Sequence, residues 1–215
     1  VVITSANENV TVTIPSTDTS SVLKVGEDAR PVVVDGIDAE AESKAQDGST
    51  VAVEMNVSKQ EAQELSTNAT EEQRETQAAI ESIKEEMDKT DPLAANETRE
   101  VEYMNIDLTK TVKTGGTETN TTLTETTNVL MVIIPYNMAG KSINSLSMFR
   151  YHDGAACTLN KYSGNGKPTT TYADGSFYVD LLNSFIYLFS NRWSTYAISY
   201  TETTSTPTPT PTPPP

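Results

Sequence analysis

The first half of the chain contains short stretches in which apolar and polar residues alternate. The stretch "VTVTI" places Val10, Val12 and Ile14 on one face, and "VAVEMNV" at 51–57 repeats the pattern. Because the side chains of a strand point alternately to opposite faces, this spacing predicts two half-buried β-strands. Between them, "RPVVVDG" at 30–36 predicts a further short strand that ends in an Asp-Gly turn.

The pattern changes after the second of these strands, where helical signals begin. The stretches "SKQE" at 58–61 and "TEEQ" at 70–73 both have capping-box spacing, so a helix start is predicted at each. An Asp-Pro pair then ends the helical region, which is predicted to span about 59–89. Its apolar stripe is thin, which favours a helix that covers one face of a sheet. The residues of that stripe are Ile80, Ile83 and Met87.

Strand patterns return at Val101 and become denser. The stretch "VEYMNIDLTKTV" puts Met104, Ile106 and Leu108 on one face, and six further short apolar stretches follow with turn residues between them. The His-Asp-Gly sequence at 152–154 predicts a hairpin, since Asp-Gly supplies the positive φ that tight turns need. Short strands at this spacing are typical of an antiparallel sandwich or barrel.

These patterns predict an all-β protein, mainly an antiparallel β-sandwich with one inserted surface helix region. We expect an N-terminal β subdomain at 1–100 that carries the helix, and a C-terminal sandwich at 101–203. The last stretch, 204–215, is a Thr-Pro repeat that has no apolar residue to bury. Because proline fixes φ and removes backbone donors, we predict a polyproline II linker there.

Composition narrows the classes of partner. The 215 residues include 30 Asp and Glu against 15 Lys and Arg, a net charge of -15, so neither nucleic acid nor an anionic membrane surface is an expected partner. No apolar run approaches the roughly 20 residues of a membrane-spanning helix. The chain begins "VVITSANENV", without Met or an apolar leader, which we interpret as an excised piece of a longer protein.

The single cysteine, Cys157, excludes an internal disulfide framework and a cysteine-based zinc cluster. Alternation places Cys157 on the same strand face as Leu159. Since free cysteine is among the residue types most often buried, we expect a small buried thiol here.

Four stretches in this order resemble a known family: "VEYMNIDLTKTVKTGG", "TETTNVLMVIIP", "SMFRYHDG" and "RWSTYAISYTET". The chain resembles a β-rich module found near the C-termini of cell-surface and secreted proteins of Clostridia and related Gram-positive bacteria. The resemblance covers roughly 51–201, and the usual "FSTYA" of the family is "WSTYA" at 193–197 here. It implies an extracellular or cell-surface location, a following Thr/Pro linker and no assigned catalytic residues.

The sequence contains no pattern of a catalytic or metal site. No GxSxG elbow or HExxH helix is present, and His152 is the sole imidazole. Asp153, Asp174 and Asp180 could be imagined around His152, but none shows ligand spacing. We therefore expect no catalytic residue, no metal and no cofactor.

Two weaker patterns remain open. The rings of Tyr178, Tyr187 and Trp193 are candidates for a glycan platform, because sugar-binding modules present aromatic faces to pyranose rings; the alternative is that these rings fill the sandwich. Lys110 or Lys113 with Glu125 superficially resembles the Lys crosslink of Gram-positive pilin-like domains.

Two functions therefore follow from the sequence. The first is a non-catalytic extracellular stalk module that spaces or presents neighbouring domains of a longer chain. The alternative is an adhesin-like module that binds a cell-wall or host glycan or protein. The position of Trp193 distinguishes them, since a buried ring favours the first and an exposed ring the second.

Overall fold

The computed structural model describes residues 10–13, 50–62, 67–163 and 173–203. Strands β1 to β4 within these residues are Val10–Thr13, Thr50–Gln60, Glu97–Thr114 and Thr117–Leu123. Strands β5 to β8 are Glu125–Pro135, Leu146–His152, Ala155–Thr158 and Asn160–Lys161. Strands β9 to β11 are Ser176–Asp180, Phe185–Arg192 and Thr195–Thr203. The helix α1 spans Glu71–Thr90, and a 3₁₀ helix spans Ile143–Ser145.

The strands form two sheets. A seven-stranded sheet has the order β1-β2-β3-β11-β6-β7, with β4 also paired to β3, and a four-stranded sheet has the order β5-β10-β9-β8. The pairs are antiparallel except for β1 with β2 and β8 with β9. The predicted fold class, a mainly antiparallel sandwich with one helix, is confirmed.

The space between the sheets holds the main hydrophobic core. Met104, Ile106 and Leu108 of β3 all belong to it, as their alternation predicts. Strand β2 adds Val53, Met55 and Val57, and Val57 lies opposite Ile106 in the ladder. The core is therefore built from residues on both sides of position 100, and β3 runs through that position without a break.

Helix α1 covers the outer face of the seven-stranded sheet and makes the molecule three layers deep. Its buried residues Ile80, Ile83 and Met87 form a second cluster with sheet residues that face away from the main core. These sheet residues are Tyr103, Phe149 and Ala197. The predicted role of the helix as a cover for a sheet matches this packing, because only one narrow face of α1 is apolar.

The two predicted helix starts have different outcomes. Thr70 is the N-cap of α1: its hydroxyl accepts from the backbone N–H of Gln73, and the Gln73 side chain accepts from the backbone N–H of Thr70. The predicted start at Ser58 is wrong, because β2 continues to Gln60 and pairs there with β3. Ladder hydrogen bonds and the buried face of β2 outweigh a local capping signal at this position.

The predicted hairpin at 152–154 is present as the turn between β6 and β7, with positive φ at Asp153 (50°) and Gly154 (79°). Several predicted features lie outside the described residues. These are Ile14, the strand at 30–36 and the Thr-Pro repeat at 204–215.

Candidate functional site

An ion pair between a buried guanidinium and a partly exposed carboxylate joins the two sheets. Arg150, in the middle of β6, donates two hydrogen bonds to Asp174, with distances of 2.6 Å and 3.0 Å to its two carboxylate oxygens. Arg150 also donates to the Ser190 hydroxyl on β10 (2.9 Å), and the Tyr196 hydroxyl of β11 bonds to the same oxygen at 2.9 Å. The side chain of Arg150 is only 5% exposed, so this guanidinium depends on its protein partners for hydrogen bonds.

The ionisation of these groups follows from their partners. Burial alone would raise the pKa of Asp174, but hydrogen bonds from Arg150, the Asn191 N–H and Ser190 outweigh it and hold the pKa below its usual value. Burial raises the pKa of Tyr196 to about 12. Asp174 therefore stays ionised and Tyr196 stays neutral near pH 7. This arrangement fixes charges in place and provides no group that titrates near neutrality, so we assign it to structure.

A groove lies on the outer face of the seven-stranded sheet, beside α1. It is lined by the first turns of α1, by β3 and β4, and by the segment that precedes and begins β11. The acidic lining residues are Glu72, Glu75, Asp107 and Asp153, and no Lys or Arg is among the described residues that line it. The remaining lining is rich in Thr hydroxyls. The groove is therefore suited to neutral hydroxylated or positively charged ligands.

The pKa of Asp107 reflects the negative charge of the groove. Burial raises its pKa, the two 2.9 Å hydrogen bonds from the Asn105 amide oppose this shift, and the nearby Glu72 carboxylate adds to it. A cationic group in the groove would relieve this repulsion between Glu72 and Asp107.

Trp193 is buried at the edge of this groove. It is 2% exposed and belongs to the main core, while its indole N–H donates to the Thr126 hydroxyl at 3.3 Å. Its backbone N–H donates to the carbonyl of Thr124 (2.8 Å). A ring held in this way offers no open face to a sugar, which favours the interpretation that Trp193 fills the sandwich.

Tyr178 and Tyr187 lie elsewhere, on the face of the four-stranded sheet that points away from the main core. They are opposite each other in the ladder, with ring centroids 5.9 Å apart at 50°. Tyr187 is 2% exposed, whereas Tyr178 is half-buried and meets the ring of Tyr162 edge-on. Two of the three predicted platform residues, Tyr178 and Tyr187, are therefore neighbours, Trp193 is not part of that pair, and only Tyr178 is partly exposed.

The carboxylates considered as metal ligands around His152 have different positions in the structure. Asp180 accepts hydrogen bonds from Asn183 and Asp174 accepts them from Arg150, and neither carboxylate belongs to the group of ligand atoms around His152. His152 lies instead beside Asp153 and Glu125, an arrangement that no sequence spacing indicates because Glu125 comes from β5.

The residues considered for a Lys crosslink are also placed by the structure. Lys113 pairs with Glu118 across the β3–β4 hairpin at 2.8 Å. Lys110 is buried on the inner face of β3, and Glu125 lies 3.4 Å from Arg192. Lys113 and Glu125 therefore each have an ion-pair partner outside the hypothetical crosslink.

The expectation of a buried Cys157 is wrong. Leu159 is buried as predicted, but Cys157 is exposed. Cys157 lies in β7, the edge strand of the seven-stranded sheet, where alternation alone does not guarantee cover from the opposing layer.

The comparisons with known proteins add no relative. No family model, curated protein or solved structure matches the chain. In the part of the chain that the structure describes, no helix is long and apolar enough to cross a membrane.

Proposed function

We propose that this chain is a non-catalytic structural module of a bacterial surface or secreted protein, which spaces or presents other domains of a longer chain. The observation that carries the proposal is the position of β11, the last strand before the Thr-Pro repeat. It lies inside the seven-stranded sheet, between β3 and β6. A force that arrives through the repeat would enter a strand with a partner on each side.

The pairing of β11 is extensive. Residues Thr195–Thr203 pair with β3 along their whole length, and Thr195–Tyr200 pair with β6 as well. The side chains of Tyr196, Ile198 and Tyr200 belong to the main core. Release of the strand would therefore break two ladders and expose buried apolar surface in one event.

A further contact holds the C-terminal half of β11. The Lys141 ammonium lies 4.2 Å from the centre of the Tyr200 ring and 2.6 Å from a Glu100 carboxylate oxygen on β3. The cation–π contact and the ion pair connect β11 to its neighbour near the point where the repeat begins.

Single-molecule pulling tests the proposal, and the chain supplies its own control. Cys157 is the sole cysteine and is exposed on edge strand β7, so a handle can be attached there or at the C-terminus, with the N-terminal handle unchanged. We expect a higher unfolding force through the C-terminus than through Cys157. Equal forces, or stepwise peeling of β11 at low force, would contradict the stalk function.

A second function, ligand binding, is favoured by one observation, the acidic and Thr-lined groove beside α1. Trp193 is the sole tryptophan and borders this groove, so its fluorescence would report an occupant. Titration with plant, mucin and cell-wall polysaccharides distinguishes the two functions. A saturable shift of the emission with one glycan would establish binding, whereas an unchanged spectrum together with no heat of binding in calorimetry for any glycan would leave the stalk function as the sole proposal.

A further inference from the structure

Three side chains of metal-ligand type meet where the two sheets approach each other. Glu125 begins β5 of the four-stranded sheet, His152 ends β6 of the seven-stranded sheet, and Asp153 lies in the following turn. Their ligand atoms all lie within 4.8 Å of one another. The Nε2 atom of His152 is 3.5 Å from Glu125 Oε1 and 3.3 Å from Asp153 Oδ2.

The burial of the His152 imidazole favours a bound ligand at this position. Its side chain is 6% exposed, and its Nε2 atom is buried without a hydrogen-bond partner. A buried nitrogen left in this state is unfavourable, so native structures normally satisfy it. The two carboxylates beside it are 55% and 81% exposed, which leaves them free to adjust around a ligand that the imidazole nitrogen faces.

The distances fit a small divalent cation. Zinc binds imidazole nitrogen and carboxylate oxygen at about 2.0–2.2 Å, so tetrahedral geometry separates neighbouring ligand atoms by roughly 3.3–3.6 Å. The two observed separations from Nε2 match this spacing. We propose that Glu125, His152 and Asp153 form a binding site for a divalent transition metal, with zinc as the best fit.

The donor set selects among metals. Calcium and magnesium prefer oxygen ligands, and calcium takes six to eight of them, whereas an imidazole nitrogen suits zinc, copper, nickel and cobalt. One nitrogen and two carboxylates leave the fourth tetrahedral position to water. A metal here would join β5 to the β6–β7 turn and thereby connect the two sheets at one corner of the sandwich.

Arg192 would compete with a bound metal ion for the Glu125 carboxylate. Its Nε atom lies 3.4 Å from Glu125 Oε1, and its side chain is half-exposed. A cation at the site would displace this guanidinium from Glu125, towards Asp174 at 3.9 Å. Removal of the positive charge by Arg192→Gln is therefore expected to tighten metal binding, an effect opposite to that of every ligand substitution.

Titration of the chelator-treated full chain tests the site. Calorimetry with Zn²⁺ and visible absorption with Co²⁺ are expected to show one metal per chain, with a tetrahedral Co²⁺ spectrum and a rise in melting temperature on Zn²⁺ addition. Glu125→Gln and Asp153→Asn should weaken binding at least tenfold, on the order of the losses seen when metal-site groups are altered. Asn retains the positive φ and the turn that Asp153 needs, so this variant removes the charge alone.

The matched control is Glu118→Gln, which neutralises an exposed carboxylate that pairs with Lys113 and should leave Zn²⁺ affinity unchanged. His152→Asn should abolish the Co²⁺ spectrum; if that variant fails to fold, the two exposed carboxylate variants still decide the matter. Three results would each overturn the proposal. The wild type could fail to bind Zn²⁺, the Glu125→Gln and Asp153→Asn variants could bind Zn²⁺ as tightly as the wild type, or Ca²⁺ could fully displace the bound Zn²⁺.

Discussion

Arg150 is the single residue that most clearly joins the two sheets. It follows the buried residues Met148 and Phe149 in the strand "LSMFRYH", and a buried charge in such a place is costly unless it is paired. The sequence could therefore have indicated a buried ion pair. It could not have identified Asp174 as the partner, because that contact depends on how the two sheets pack.

Asp174→Asn tests the strength of this pair. Because the substitution leaves the buried Arg150 guanidinium with an uncharged partner, we expect the free energy of unfolding to fall by about 3 kcal/mol. Denaturant unfolding measures the change. The control is Glu118→Gln, whose exposed pair with Lys113 should contribute less than about 1 kcal/mol. Equal effects of the two substitutions would show that the pair between Arg150 and Asp174 does not join the sheets as described.

The same carboxylate predicts a pH dependence. Its folded-state pKa lies below the ordinary value of 3.8, so its stabilising contribution is complete above pH 3.8 and is lost as the pH falls through the folded-state pKa. The difference in unfolding free energy between the wild type and Asp174→Asn should therefore shrink as the pH falls below 3.8. A difference that stays constant in this acid range would contradict the assigned ionisation.

Helix α1 shows what an element-level signal can and cannot predict. Two stretches of the sequence have capping-box spacing, one at Ser58 and one at Thr70. Only the one at Thr70 leads into a helix with apolar residues at helical spacing, Ile80, Ile83 and Met87. The stretch at Ser58 belongs to β2, where pairing with β3 keeps the chain in a strand. Arg99 of β3 then fixes the end of α1 through Asp88 (3.0 Å), a contact that depends on tertiary packing.

The two boxes give a matched pair of substitutions. Thr70→Ala removes the N-cap of α1 and should lower the free energy of unfolding by about 1 kcal/mol. Ser58→Ala lies in a strand and should change it by less than about 0.5 kcal/mol. Chemical denaturation with circular dichroism measures both. Equal losses would indicate that Ser58 caps a helix after all.

At the scale of the whole molecule, the layers explain which sequence predictions hold. Alternation in β3 correctly predicts the face that enters the core, because this strand is interior to the sheet. Alternation also predicted a buried Cys157, and this prediction is wrong because Cys157 is exposed on β7, an edge strand. The approach of Glu125 to His152 could not be predicted, since it depends on how two sheets are placed against each other.

Strand β11 is paired with a neighbour on each side, and the proposed stalk function requires that it be among the last strands to open. Hydrogen exchange of its backbone amides tests this most directly, because exchange measures the free energy of opening at each position. We predict that the hydrogen-bonded amides of Thr195–Tyr200, paired on both sides, exchange among the slowest in the fold and much more slowly than those of edge strand β7. Exchange of the β11 amides as fast as those of β7 would contradict the claim.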